Sequence, residues 1–270
     1  MEINLSPVGR YSTVKIMKHL IKIAYDGSGF TGYQKGNGSR SVEDCIIRSL
    51  AESGIICSIR SAGRTDRGVS AISNCIEVVS DASAGAITGI LGSRYDDLFP
   101  VAHAYVEDNF NVRHCDTKWY RYIVDGKVDI PVLEKVLKKF QGTHDFRNFC
   151  RRDERNTVRT IDSIEVLSLN GQVAVDFHGQ SFVWQQIRTI MGYALEIAKT
   201  GGINQDPFSG NERYGKPAPP ENLILMDVVY HNVEFRKFRS PSMLKRIDRL
   251  LTRAMRRQFL MSNILQLVEK

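Results

Sequence analysis

The chain has 270 residues, 42% hydrophobic and 25% charged, enough to bury a sizeable core and too apolar for wholesale disorder. Lysine and arginine total 37 against 30 acids, a net charge of +7 that suggests an anionic partner: nucleic acid, an acidic membrane or a charged metabolite. No apolar run approaches the roughly 18–20 residues of a membrane span, and the first residues lack a signal-peptide core. Five scattered cysteines and six scattered histidines form neither CxxC nor HExxH. Neither a disulfide framework nor a metal site is expected, and the default is a cytoplasmic, metal-free protein.

In chain order, residues 20–25 read as a strand that stops at Asp26-Gly27-Ser28-Gly29. Ser41 caps a helix whose face is Val42, Cys45, Ile46, Ser49 and Leu50, with Asp44 at the capping-box position. Strands are expected at 55–61 and 72–79 around a charged loop, then a weak helix at 83–92 and a strand at 101–106. The second half repeats this order. A strand at 119–124 precedes a helix marked by Val132, Val136, Leu137 and Phe140. Strands at 161–169 and 173–177 pair across Asn170-Gly171. A helix over 182–199 carries Val183, Ile187, Ile190, Met191, Ala194 and Ile197 on one face. Residues 206–220 hold four of the eight prolines and read as a surface loop, and 223–235 as a last strand. Two α+β halves, mostly antiparallel, are expected.

Residues 240–268 form a basic amphipathic helix, either docked with a solvated face or lying on phosphates. Residues 236–257 carry nine basic side chains and one acid, so the remaining chain sums to −1. The charge is concentrated in this tail, and the body is nearly neutral.

The most informative segment is Gly63-Arg64-Thr65-Asp66-Arg67-Gly68, one acid between two arginines in a connection between strands. If they lie close, Arg64 and Arg67 favour ionised Asp66. A carboxylate held ionised in a partly dry site is a competent nucleophile.

This segment, continued through Val69 and Ala71, resembles the signature of the tRNA pseudouridine synthase A family. Further segments agree in order. Tyr25-Asp26-Gly27-Ser28-Gly29-Phe30, with Gly32-Tyr33-Gln34, is similar to the family's first strand and turn. Arg40-Ser41-Val42-Glu43 resembles the start of its first helix, and Trp119-Tyr120-Arg121-Tyr122 its Tyr-Arg-Tyr motif. Gly142-Thr143-His144-Asp145-Phe146, Arg159-Thr160-Ile161 and the run from Phe182 to Arg188 also match. The similarity spans roughly residues 20–235 and admits a member of archaeal type. Four places depart from the common pattern: Arg67, Ser70, Tyr33 and Trp184-Gln185-Gln186. Trp119 and Trp184 read as packing residues.

The resemblance implies an isomerase that turns specific tRNA uridines into pseudouridine, commonly at positions 38–40 of the anticodon arm. It implies a pseudouridine synthase fold with a central RNA-binding cleft, tRNA as partner, a homodimer, and no cofactor. Asp66 matches the catalytic nucleophile, Tyr120 the residue that stacks on the target uracil, and Arg188 the arginine that pairs with the aspartate. Arg64 matches the arginine that enters the RNA beside the flipped nucleotide. Thr65, Arg67, Gln34 and Arg40 are further substrate-binding candidates. The implied organisation is an extension over 1–19, an N-terminal half over 20–116 with the catalytic loop, a C-terminal half over 117–235 and a basic helix over 236–270. The same chemistry on another RNA, or a catalytically silent RNA-binding protein, are the alternatives.

Overall fold

The structure, a computed structural model, describes residues 16–268 apart from 37, 39, 152–155, 170, 202–205 and 211. Most of the expected extension 1–19, and Asn170 of the expected hairpin turn, lie outside the described residues. The N-terminal half comprises β1 (Met17–Tyr25), α1 (Val42–Glu52), β2 (Ser58–Ser61), β3 (Ser70–Ser80), α2 (Ala84–Arg94) and β4 (Leu98–Val106). The C-terminal half comprises β5 (Thr117–Ile123), α3 (Ile130–Leu137), β6 (Gly142–Asp145), β7 (Val158–Ile161), β8 (Ser163–Leu169), β9 (Gln172–Gly179), α4 (Gln186–Thr200) and β10 (Leu223–Val229). A short β11 (Arg236–Lys237) and the long α5 (Pro241–Val268) follow.

The sheets of the two halves are continuous. The order is β11-β4-β1-β3-β10-β5-β9-β8, with β2 paired to β3. All pairings are antiparallel except the one that joins the halves, where Ile224 and Leu225 of β10 run parallel to Ser70 and Ala71 of β3. That parallel contact is the seam of the molecule. An ion pair reinforces it: Lys22 on β1 reaches the Asp227 carboxylate on β10 at 2.5 Å, and the Ser73 hydroxyl donates to the same oxygen at 2.6 Å.

The local signals explain most elements. Leu20, Ile21 and Ile23 are fully buried, as befits an inner strand paired on both edges. Ser41 caps α1 by accepting the Asp44 N–H at 3.1 Å, while its hydroxyl donates to the Asp44 carboxylate at 2.6 Å. The expected reciprocal bond to the Ser41 backbone is therefore replaced. α4 buries Ile187, Ile190, Met191, Ala194 and Ala198, and ends at Gly201, whose φ of 64° suits a glycine cap.

Three expectations change. The last strand ends at Val229, and the chain crosses past three strands to the edge of the sheet, where β11 pairs with His103 and Ala102 of β4. The strand expected from Ile161 is split, because β7 ends there and pairs with β6 in a separate two-stranded sheet. The helix expected from Phe182 starts at Gln186, because Gln185 at φ 63° breaks the helical path. No helix among the described residues is long and apolar enough to cross a membrane.

Candidate active site

The loop between β2 and β3 carries Asp66 and lies where the two halves join. Backbone bonds fix it: Tyr33 N–H donates to the Thr65 carbonyl at 3.0 Å, and Val69 N–H to the Asp66 carbonyl at 3.2 Å. Gly68 takes φ +87°, a left-handed conformation that any side chain would strain. The loop also packs closely on the turn after β1. A Cβ on Gly27 would sit 2.2 Å from the Val69 carbonyl oxygen, so only glycine fits there.

Side chains beneath the loop complete its support. Buried Asn74 donates from Nδ2 to the Gly63 carbonyl at 2.9 Å and lies 3.3 Å from the Tyr25 hydroxyl. That hydroxyl is 2.9 Å from Thr65 Oγ1. Burial pushes the Tyr25 phenol up to about 12, so it is a neutral hydrogen-bonding group here. Thr65 is thereby held inward as an anchor of the loop.

Asp66 receives two N–H donors from the far half. Arg188 Nη1 donates to Oδ2 at 2.7 Å, and Trp184 Nε1 donates to Oδ1 at 2.7 Å. The aspartate side chain remains 22% exposed and the arginine 11%, so the carboxylate is backed by protein but still reachable. Arg188 is itself fixed, with its Nε donating to the Ala218 carbonyl at 2.8 Å and its own carbonyl accepting the Ala218 N–H at 2.8 Å.

Trp184 lies four residues before Arg188, just ahead of α4. Gln185 between them is the only non-glycine with positive φ among the described residues, at a cost of about 1 kcal/mol. Thr189 holds that turn through its N–H and hydroxyl, both donating to the Gln185 carbonyl at 2.9 Å. On its other face Trp184 supports the Arg151 guanidinium, 4.1 Å from the ring centroid.

Tyr120 on β5 completes the floor. It is 8% exposed, and Phe182 meets it edge to face at 5.4 Å. Its hydroxyl lies 3.7 Å from where a Cβ on Gly63 would be. Burial raises its pKa well above the ordinary phenol value, with the charge on Asp66 a smaller contribution in the same direction. Tyr120 is therefore a neutral ring beside a carboxylate. Tyr122, two residues on, is 1% exposed and sits among core residues.

The structure thus brings Asp66, Tyr120 and Arg188 together. Arg64 and Arg67 flank Asp66 in sequence, but both are exposed and make no ion pair with it among the described residues. The expected local arginines are replaced by one 122 residues away. Gln34 is exposed at the turn after β1. Arg40 is occupied elsewhere: it donates to the Gly29 carbonyl at 2.5 Å and forks onto Asp97 at 2.9 Å. Sequence reasoning missed Trp184, which is 44% exposed and binds the carboxylate rather than packing. Its spacing of four from Arg188, together with its departure from the common motif, was the available signal. Asn74 gave none.

Comparison with known proteins now adds to this geometry. Residues 136–231 match a family model described as tRNA pseudouridine synthase. A protein of Thermoplasma acidophilum called tRNA pseudouridine synthase A is 46% identical over 220 residues, covering 81% of this chain and 86% of that one. A protein of the same name from Thermoplasma volcanium is 37% identical over 247 residues, covering 92% and 98%. Among solved structures, one described as a crystal structure of a Cbf5-Nop10-Gar1 complex aligns with 66% of this chain and 44% of that one. At 14% identity and a TM-score of 0.37 that likeness is loose. The identity and coverage of the two Thermoplasma proteins decide the matter: the chain belongs to the tRNA pseudouridine synthase A family.

Proposed function

We propose that the protein isomerises uridines of tRNA to pseudouridine, with Asp66 as the catalytic residue. The observation that carries this is the Asp66 carboxylate, held by Arg188 and Trp184 beside the neutral, buried Tyr120. The reaction breaks the C1′–N1 bond, turns the base and forms C1′–C5; the proton on C5 leaves to solvent and the freed N1 takes one up. No group is gained or lost, so the chain's own residues suffice. The target base must be extruded from its stack at a cost of a few kcal/mol. Exposed Arg64 offsets part of that cost by filling the vacated space, and Arg67 and Gln34 contact the RNA backbone nearby. Thr65 and Arg40 serve substrate binding indirectly, by fixing the loop and the turn that carry these side chains. Tyr120 stacks on the freed uracil as a neutral ring.

Asp66 attacks the sugar at C1′, attacks the base at C6, or accepts the 2′ proton, and each route needs a reachable carboxylate. The uridines are those at positions 38–40 of the anticodon arm. The enzyme works as a cytoplasmic homodimer, with the RNA in a cleft over the join between halves. The basic residues of α5 face phosphates. Changing Arg249, Arg253 and Arg256 to glutamine lowers the slope of log K against log salt by about 0.7–0.9 per lost contact.

The experiment uses tRNA tritiated at C5 of uridine. The wild-type protein releases tritium, while Asp66→Ala binds tRNA without release. Release by Asp66→Ala at the wild-type rate overturns the assignment. Mapping pseudouridine in cellular tRNA with and without the gene tests the positions, and an unchanged 38–40 overturns them.

A further inference from the structure

α5 runs for 28 residues, yet only Met243 and Arg246 on it are buried. Those first turns dock on the body. The Arg246 guanidinium lies 4.9 Å over the Phe99 ring, and its Nε is 3.6 Å from Asp96. The whole helix is about 40 Å long. Leu244, Leu251 and Leu265 are each more than half exposed. A helix with so much bare apolar surface calls for cover.

The pattern on α5 is specific. From Leu244 to Val268 apolar side chains recur in alternating steps of three and four, broken once by the polar Gln258. A mean step of 3.5 is the seam of a helix pair, with Met255 and Ile264 beside it and Phe259, Leu260 and Leu267 outside it. Every seam position is exposed. Lys245, Arg249, Arg253 and Arg256 lie off the seam on the outer face. The docked Met243 and Arg246 lie to one side of it.

Charge identifies the occupant. All charged side chains over 241–268 fall between 245 and 257, six basic and one acidic, and 258–268 has none. Parallel pairing with a second copy would set two basic segments side by side. Antiparallel pairing sets each basic segment against the partner's uncharged one. An RNA backbone would engage the arginines and leave the seam in water.

We propose that α5 pairs antiparallel with α5 of a second copy of this chain, about a two-fold axis near residue 256. The register follows from the seam. Leu244 meets the partner's Val268, Ile247 the partner's Leu265, and Leu251 the partner's Met261. At the centre small Ala254 faces the partner's Gln258, a complementary fit that also fixes the register with one polar residue. Each contact recurs by symmetry, as an isologous interface requires. Beside the seam Leu250 meets the partner's Ile264. Arg257 approaches the partner's Arg257 at the solvent edge, where salt screens the repulsion. The outer basic faces of both helices stay free for phosphate.

This deepens the homodimer reading above, and the two fail separately. Sedimentation equilibrium on the full chain gives a dimer. Leu251→Glu with Leu265→Glu, both on exposed sites, weakens association at least about tenfold with an unchanged circular dichroism spectrum. Arg256→Gln leaves the dimer intact. A dimer that survives the double change overturns the seam and leaves the dimer standing, and a monomeric wild type overturns both. Oxidative cross-linking settles direction. A mixture of Leu244→Cys and Val268→Cys proteins forms the mixed species, and Leu244→Cys alone does not. Self-cross-linking of Leu244→Cys overturns the antiparallel register. Wild-type chain that stays monomeric and floats with phosphatidylserine vesicles shows a membrane as the occupant instead.

Discussion

Two aspartate–arginine pairs in this molecule show how similar chemistry serves two purposes. Asp176 and Arg121 are direct neighbours in the β5–β9 register, and Arg121 forks onto both carboxylate oxygens at 2.7 Å. One partner satisfies both oxygens of Asp176, whose side chain is 6% exposed, and the pair closes on itself within one half. Asp66 divides its oxygens between two residues at the start of α4, and its side chain is 22% exposed. Its loop belongs to one half and its donors to the other. The first pair ties two strands together. The second exists only when both halves have assembled, and it leaves the carboxylate open to a ligand.

The largest expected effect separates the two aspartates. Asp66→Ala lowers turnover about 10⁴-fold or more in the tritium-release assay, as loss of a central catalytic group does. Its thermal midpoint falls less than that of Asp176→Ala, because Arg188 keeps its bond to the Ala218 carbonyl and the Asp66 side chain is less buried than that of Asp176. Asp176→Ala does the reverse. It strands the Arg121 charge, costs about 3 kcal/mol, and lowers the midpoint by roughly 6–12 °C. Turnover per folded molecule persists. Scanning calorimetry beside the tritium assay reads both, and loss of turnover in folded Asp176→Ala would break the contrast.

Arg188→Met comes next. It removes one charged hydrogen bond to Asp66, a contribution of about 1.5–3 kcal/mol, so kcat falls roughly 10–150-fold. Arg188→Lys recovers part of the loss. Trp184→Phe keeps the ring for Arg151 but removes the N–H on Oδ1. It lowers kcat about tenfold and leaves tRNA affinity within about twofold. A change confined to KM would mean that Trp184 serves RNA binding and not the carboxylate.

The smallest effect is on pH dependence. Burial raises the Tyr120 pKa, so its neutral form persists as pH climbs through the ordinary phenol range. Turnover between pH 7 and about 10 therefore shows no loss from Tyr120 ionisation. An alkaline limb below about pH 10 that disappears in Tyr120→Phe would contradict this.

Local signals in the sequence reached far. The Ser41 cap, the apolar face of α4 and the turn after β1 follow from neighbours in the chain. The loop holding Asp66 was legible as a charged turn, and resemblance assigned Arg188 to it. What local reasoning misplaced were long-range facts. Arg64 and Arg67 look like partners of Asp66 because they adjoin it, but the ion pair is set by how the halves meet through β3 and β10. β11 was invisible because two residues carry no periodicity, and its pairing with β4 arises from a crossing past β3, β1 and β4. Trp184 was read as packing because a tryptophan near an apolar helix usually packs. Only the left-handed Gln185 turns its indole N–H onto the carboxylate.

Single-turnover tritium release, measured for Asp66→Asn and Asp176→Asn and normalised to bound tRNA, tests the distinction between the two pairs most directly. Asp66→Asn keeps the shape and should show no release above the uncatalysed background. Asp176→Asn should stay within about threefold of wild type per folded molecule. Wild-type release by Asp66→Asn, or loss of release by Asp176→Asn alone, would contradict the account.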